Sequence, residues 1–162
     1  MPRITLRRAS GVVLAIAAVA IGGTAYADDS PAKSNANGKT IRLLEASKAI
    51  QPAFVDTGSP GLSPGDIVVV RDGVLREDGT SAGTFNQVCT LVKVAGNPFT
   101  SEYECIGSLA LANGTITMQG PFVPAKAEQT AAVTGGTGAY RTARGEVVVR
   151  SEADEIVVHL AR

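Results

Sequence analysis

The chain has 162 residues, with 15 basic and 15 acidic side chains, no tryptophan and only four phenylalanines. No basic face for nucleic acid is visible in it, and no polybasic patch for a membrane surface. Its length suits a single domain around one core, and its plentiful Val, Ile, Leu and Ala make that core aliphatic.

In chain order, Arg3, Arg7 and Arg8 precede the apolar run Gly11 to Ile21, which closes on Ala25-Tyr26-Ala27 before Asp28-Asp29. This reads as a secretory signal peptide, residues 1–27, cut after Ala27. The run falls short of the roughly 20 residues that span a bilayer, which disfavours a membrane anchor. The Arg7-Arg8 pair leaves Sec and twin-arginine export both open. Cleavage takes the 15 basic residues to 12 against 15 acids, a net charge of −3. The expected product is secreted and extracellular. Residues 28–40 are polar and small, too poor in apolar surface to order themselves, and read as a flexible tether.

From residue 41 to 162 short alternating runs are separated by Gly, Pro, Asn and Asp. Strands are expected at 41–56 (bent or interrupted at Pro52), 66–75, 82–94, 101–112, 115–122, 127–134, 145–151 and 155–161. Strands at this spacing predict an antiparallel sandwich or barrel, and eight is enough to close a sheet around packed side chains or one small ligand. The Gly58 to Gly65 stretch reads as a connector into the second strand, with a loop lying over a barrel mouth as the alternative. Asn113-Gly114 is expected as a two-residue hairpin turn, because both central positions of such a turn want positive φ.

Cys89 and Cys105 are equidistant from Asn97, the midpoint of the AGNPF loop. A hairpin centred there sets the two sulfurs opposite each other on one face, within reach of a disulfide; a reactive thiol is the alternative. One His and two Cys cannot complete a tetrahedral metal set unaided, so no metal is expected. The odd-numbered residues of the same hairpin, including Phe85, Gln87, Leu91 and Tyr103, carry the larger apolar groups and should point inward. Gln87 and Tyr103 are then polar groups on the buried side, each needing a partner or a ligand.

The stretch TGGTGAYRTARGEV, 134–147, resembles a phosphate loop only superficially. Arg141 stands where a dinucleotide fingerprint needs its third glycine, and a strand follows instead of a helix. There is no serine elbow and no H-E-x-x-H, and His159 stands alone in EIVVHLA. The acids Asp66, Asp72, Glu104, Glu128 and Glu146 are scattered.

Taken together, GDIVVVRDGVL, SAGTF, TMQGPF and GGTGAYRTARG resemble the barrel shared by allene oxide cyclases and dirigent proteins, especially its small secreted bacterial relatives. The resemblance covers Ile41 to Ala161. It implies an all-β fold, an eight-stranded antiparallel β-barrel of lipocalin-like shape, often trimeric, with an apolar lumen. In such a lumen a reactive small molecule is held and steered through cyclisation, isomerisation or coupling, with no metal and no organic cofactor. A non-catalytic carrier of an apolar ligand is the alternative.

Residue by residue the cyclase pattern is changed. Asp72 stands where the plant cyclases have a water-binding asparagine, Phe85 where they have cysteine, and Phe122 where they have tyrosine, while Glu45 aligns with their N-terminal glutamate. The resemblance makes Asp72 and Glu45 the candidate acids. Phe85, Gln87, Leu91, Tyr103 and Phe122 are the candidate ligand-binding residues. Arg144 either pairs with the acid or an acidic ligand at a barrel mouth, or holds its own turn through an ion pair.

Overall fold

The computed structural model describes residues 38–46 and 52–161. The expected signal peptide and most of the tether lie outside these residues. The first strand begins at Lys39, inside the stretch expected as tether. The strands are β1 (Lys39–Glu45), β2 (Ala53–Val55), β3 (Ile67–Leu75), β4 (Ser81–Lys93), β5 (Glu102–Leu111), β6 (Gly114–Phe122), β7 (Glu128–Gly136), β8 (Gly145–Arg150) and β9 (Glu155–Leu160).

These strands form one antiparallel sheet in the order β1-β9-β8-β7-β6-β5-β4-β3-β2, and a β1–β3 pairing closes it. Eight positions make the barrel, because β1 and β2 share one of them. β1 pairs with the last residues of β3 (Glu45 with Val74), and β2 with the first (Val55 with Ile67). The interruption expected near Pro52 is thus real, since proline cannot donate to a ladder.

Alternation decides what the barrel contains. Phe85, Cys89, Leu91, Tyr103, Cys105 and Leu109 are all buried, as the period-2 pattern requires. The interior holds two apolar clusters. One gathers Leu43, Val74, Phe85, Leu109, Ile116, Met118, Val147, Ile156 and Val158, with Tyr140 among them. The other gathers Leu91 and Tyr103 around the Cys89–Cys105 disulfide, with Leu62, Val68 and Phe122 packed against it. The two cysteines are directly opposed in the β4–β5 ladder, with Cα atoms 4.0 Å apart.

Two turns differ in instructive ways from expectation. Leu111 pairs with Gly114, so the hairpin turn is Ala112-Asn113 and Gly114 follows it with φ of 138°. The glycine is required by contact: a Cβ there would strike the Thr137 carbonyl, and one on Gly138 (φ 58°) would strike that of Asn113. The 134–147 stretch therefore lies against the β5–β6 turn. It forms a short 3-10 turn, Gly138–Tyr140, that drives the Tyr140 ring into the first cluster as a plug for this end of the barrel.

The connector before β3 does more than connect. Asp66 is fully buried, and its carboxylate accepts the backbone N–H groups of Ser63 (2.7 Å) and Thr57 (3.0 Å), while Leu62 packs over the disulfide cluster. The Ser63 N–H first, and that of Thr57 second, hold the Asp66 carboxyl below the usual aspartate range. A carboxyl lowered on folding contributes stability above its unfolded value and loses it as pH falls through the folded one. Asp66→Asn is therefore expected to melt several degrees below wild type at pH 7. The difference should shrink below about pH 4, where the unfolded carboxyl begins to protonate, and vanish once the folded one has followed, as thermal melts across pH 2–8 will register.

Candidate functional site

Between the two apolar clusters runs a belt of polar and small residues. Starting from Glu45 on β1, the inward position one diagonal step away on β3 is Asp72, because Glu45 pairs with Val74. A second diagonal step leads from Asp72, paired with Phe85, to Gln87 on β4, which lies directly opposite Gly107 on β5. Gly107 pairs with Met118, so the next step is Gly120 on β6. On β7 the inward residue at this level is Gln129, which faces Val149 of β8. The turn 151–153 then leads to Asp154, whose carbonyl accepts the Glu45 N–H at 2.8 Å and closes the ring. The diagonal steps all rise in the same sense, as strand tilt in a closed barrel demands.

Glu45 lies within electrostatic reach of two further carboxylates, Asp154 and Asp72. Burial raises the Glu45 carboxyl above the ordinary glutamate value, and the charges of Asp154 and then Asp72 add to the effect. All three causes favour the neutral acid. Asp72 is half-buried, and its carboxylate also accepts the Gly73 N–H at 2.8 Å. Asp154 is held in the left-handed region at φ 49°, the only non-glycine among the described residues with positive φ, a conformation aspartate tolerates better than most.

Gln87 points inward yet is only half-buried, and its amide makes no side-chain hydrogen bond among the described residues. It offers donors and an acceptor to whatever fills the belt.

The structure thus brings together Glu45, Asp72 and Gln87, with Phe85 adjoining Asp72 in the ladder. Leu91, Tyr103 and Phe122 belong to the disulfide cluster on the far side of the belt. Tyr103 is satisfied by the backbone, its hydroxyl donating to the Pro98 carbonyl at 3.1 Å. Burial, helped by Asp66, raises its phenol.

Arg144 is not part of this group. It is exposed and directly precedes β8, beside the start of β1, while Glu45 ends β1. Six strand steps at about 3.3 Å each separate the two ends. Neither does Arg144 pin its turn through an ion pair; among the described residues its recorded contact is a carbonyl that accepts the Ala161 N–H.

Of the scattered acids, Glu128 pairs with Arg150 and Glu104 accepts from Gln119, both on the outer wall. His159 lies 3.4 Å from the Thr40 hydroxyl. A cleft of about 450 Å³ beside Tyr140, Lys39 and Ala143 lies at the plugged end, and no carboxylate side chain lines it.

Asp154 and Gln129 were missed from sequence. Gln129 was readable, since it shares the alternation of Ala131 and Val133, both turned inward. Asp154 precedes the expected last strand and carries no periodic signal; its place follows from ring closure alone.

A closed antiparallel barrel with a belt of acids and amides across its interior defines a class. Residues 46–159 match the family described as allene oxide cyclase barrel like domain. The chain belongs to this family. Among solved structures it is similar to a pyocyanin demethylase, with 28% identity over 76% of this chain and all of that one and a TM-score of 0.64. It is also similar to a Diels-Alderase from Streptomyces koyangensis (14% identity, 78% of this chain and 70% of that one, TM-score 0.54). A pterocarpan synthase dirigent protein shares the fold at 18% identity over 85% of this chain and 95% of that one, with a TM-score of 0.50. Comparison with curated sequences gives no match.

Proposed function

We propose that the protein binds a flat, largely apolar molecule inside the barrel and moves a proton on it, as a cofactor-independent isomerase or cyclase. The carrying observation is the convergence of Glu45, Asp72 and Asp154 on one interior belt, with Glu45 biased toward its neutral form. A carboxyl that keeps its proton at higher pH can donate it to a ligand oxygen or nitrogen. A neighbouring carboxylate can remove one from carbon, which leaves the ligand isomerised with no oxidant required. Phe85 confines the ring system beside Asp72, and Gln87 orients a polar atom; fixing one reactive shape itself lowers the barrier. The likeness to a pyocyanin demethylase makes pyocyanin the first probe.

Gln87→Leu tests the site. Removing an amide that makes no hydrogen bond among the described residues is expected to leave thermal stability unchanged or slightly raised, while pyocyanin affinity falls about tenfold, the worth of one hydrogen bond in a dry site. Unaltered affinity would remove Gln87, and with it the belt, from ligand recognition.

The reading of the chain as secreted is supported by the Cys89–Cys105 disulfide, a bond of oxidising compartments. No helix of the described residues is long and apolar enough to cross a membrane.

Self-association is part of the same proposal. Outward Val69, Val88 and Ile106 are opposite one another on β3, β4 and β5, and 39%, 47% and 62% exposed. An apolar stripe of this kind suits a second copy of the chain. Light scattering is expected to give a multimer for wild type and a monomer for Ile106→Glu; a wild-type monomer at tens of micromolar would end this part of the proposal.

A further inference from the structure

Strands β6 and β7 part company at one end. Their ladder stops at Gln119 opposite Ala132, although β6 continues to Phe122 and β7 begins at Glu128. Pro121 has no N–H to contribute to the ladder. Between the parted strands lies a cleft of about 200 Å³ lined by Pro121, Phe122, Val123, Lys126, Glu128 and Gln129, together with Thr130.

Gln129 sits in this cleft with only 9% of its surface exposed. Its Oε1 accepts the Val123 N–H, and because that N–H needs an acceptor, the orientation of the amide is fixed. Nε2 is then a donor, fully buried, and it has no partner among the described residues. A buried donor without an acceptor is the exception in folded proteins and calls for an explanation.

The charges beside it point one way. Glu128 is held by Arg150 at 2.8 Å, whereas Lys126 forms no ion pair among the described residues. The cleft thus offers a buried N–H donor, an ammonium, and apolar walls from Phe122, Pro121 and Val123.

We propose that this seam, at the Gln129 side of the belt and away from Glu45, Asp72 and Asp154, is a second binding site for a small flat apolar carboxylate. One carboxylate oxygen accepts from Gln129 Nε2, and the charge faces Lys126. A charged acceptor meeting a buried donor makes a stronger bond than a neutral one.

The test titrates the intact protein with 2-naphthoate and with neutral 2-methylnaphthalene, by calorimetry and by NMR of the side-chain amides. Gln129→Glu keeps the acceptor for Val123 and replaces the donor by a second oxygen; Lys126→Ala alters an exposed position that the fold does not need. The expected result is that 2-naphthoate shifts the Gln129 amide resonance and binds at least tenfold more tightly than 2-methylnaphthalene. Each variant should weaken it tenfold or more, and Glu45→Gln should leave it unchanged. An unmoved Gln129 amide, the sign of a buried water only, would overturn the proposal. So would equal binding of the neutral compound, or full 2-naphthoate affinity in folded Gln129→Glu or in Lys126→Ala. Because Glu45→Gln acts on the belt carboxylates Glu45, Asp72 and Asp154, none of which lines the seam, failure here is distinguishable from failure of the interior site.

Discussion

Replacing Cys89 and Cys105 together by alanine is expected to lower stability by about 3 kcal/mol, which for a domain of this size is a fall in Tm of roughly 10–15 °C. The bridge closes a loop across 16 positions of sequence, and most of its effect comes from restricting the unfolded chain. The sulfurs also form part of the wall against which Leu91, Tyr103 and Leu62 pack. Reduction without substitution should give a similar fall. Calorimetric melts with and without reductant provide the check, and coincidence of the two would show that the cluster holds without its bridge. Since this cluster borders the belt on one side, the loss should reach ligand affinity as well.

The second large effect is expected at Glu45. Glu45→Gln keeps the shape of the side chain and removes its proton chemistry, so turnover on any substrate that uses it should fall by about 10²-fold or more, with affinity little changed. Stability should move the other way. A carboxyl raised on folding holds more protons in the folded chain than in the unfolded one across the window between its two values. Wild-type stability therefore decreases as pH climbs from about 4.3, the unfolded glutamate value, through the raised folded value, and stays lower above it. Glu45→Gln lacks this loss, so it should melt a few degrees higher than wild type at pH 7 and show no advantage below pH 4. Turnover that survives the substitution would move the protein from isomerase to carrier.

How much of this was legible in the sequence depends on the scale of the pattern. Inward Phe85, Cys89, Leu91, Tyr103 and Cys105 follow from period-2 alternation and a single hairpin, and the disulfide follows from two equal distances to Asn97. Barrel closure was implied by the family resemblance, because strand order is a long-range property that no local run contains.

The meeting of Glu45 with Asp72 and Asp154 is of that kind. It joins the end of the first strand, the middle of the third and the turn before the last, and it depends on the stagger accumulated round the barrel. Arg144 shows the opposite limit. An arginine in a glycine-rich turn suggested a mouth, yet the stretch folds under Tyr140 to plug one end, and the acids lie toward the other. The glycines of TGGTGAYRTARGEV accordingly reported backbone contact between this stretch and the Asn113 turn.

The most direct test of the carboxylate belt is a carbon-detected NMR titration of the Glu45 side-chain carboxyl, in the free protein and with pyocyanin. The belt predicts a carboxyl titrating above the ordinary glutamate value, lowered toward it by Asp154→Asn, and displaced when pyocyanin occupies the barrel. A Glu45 that titrates as an exposed glutamate and is indifferent to both changes would contradict it.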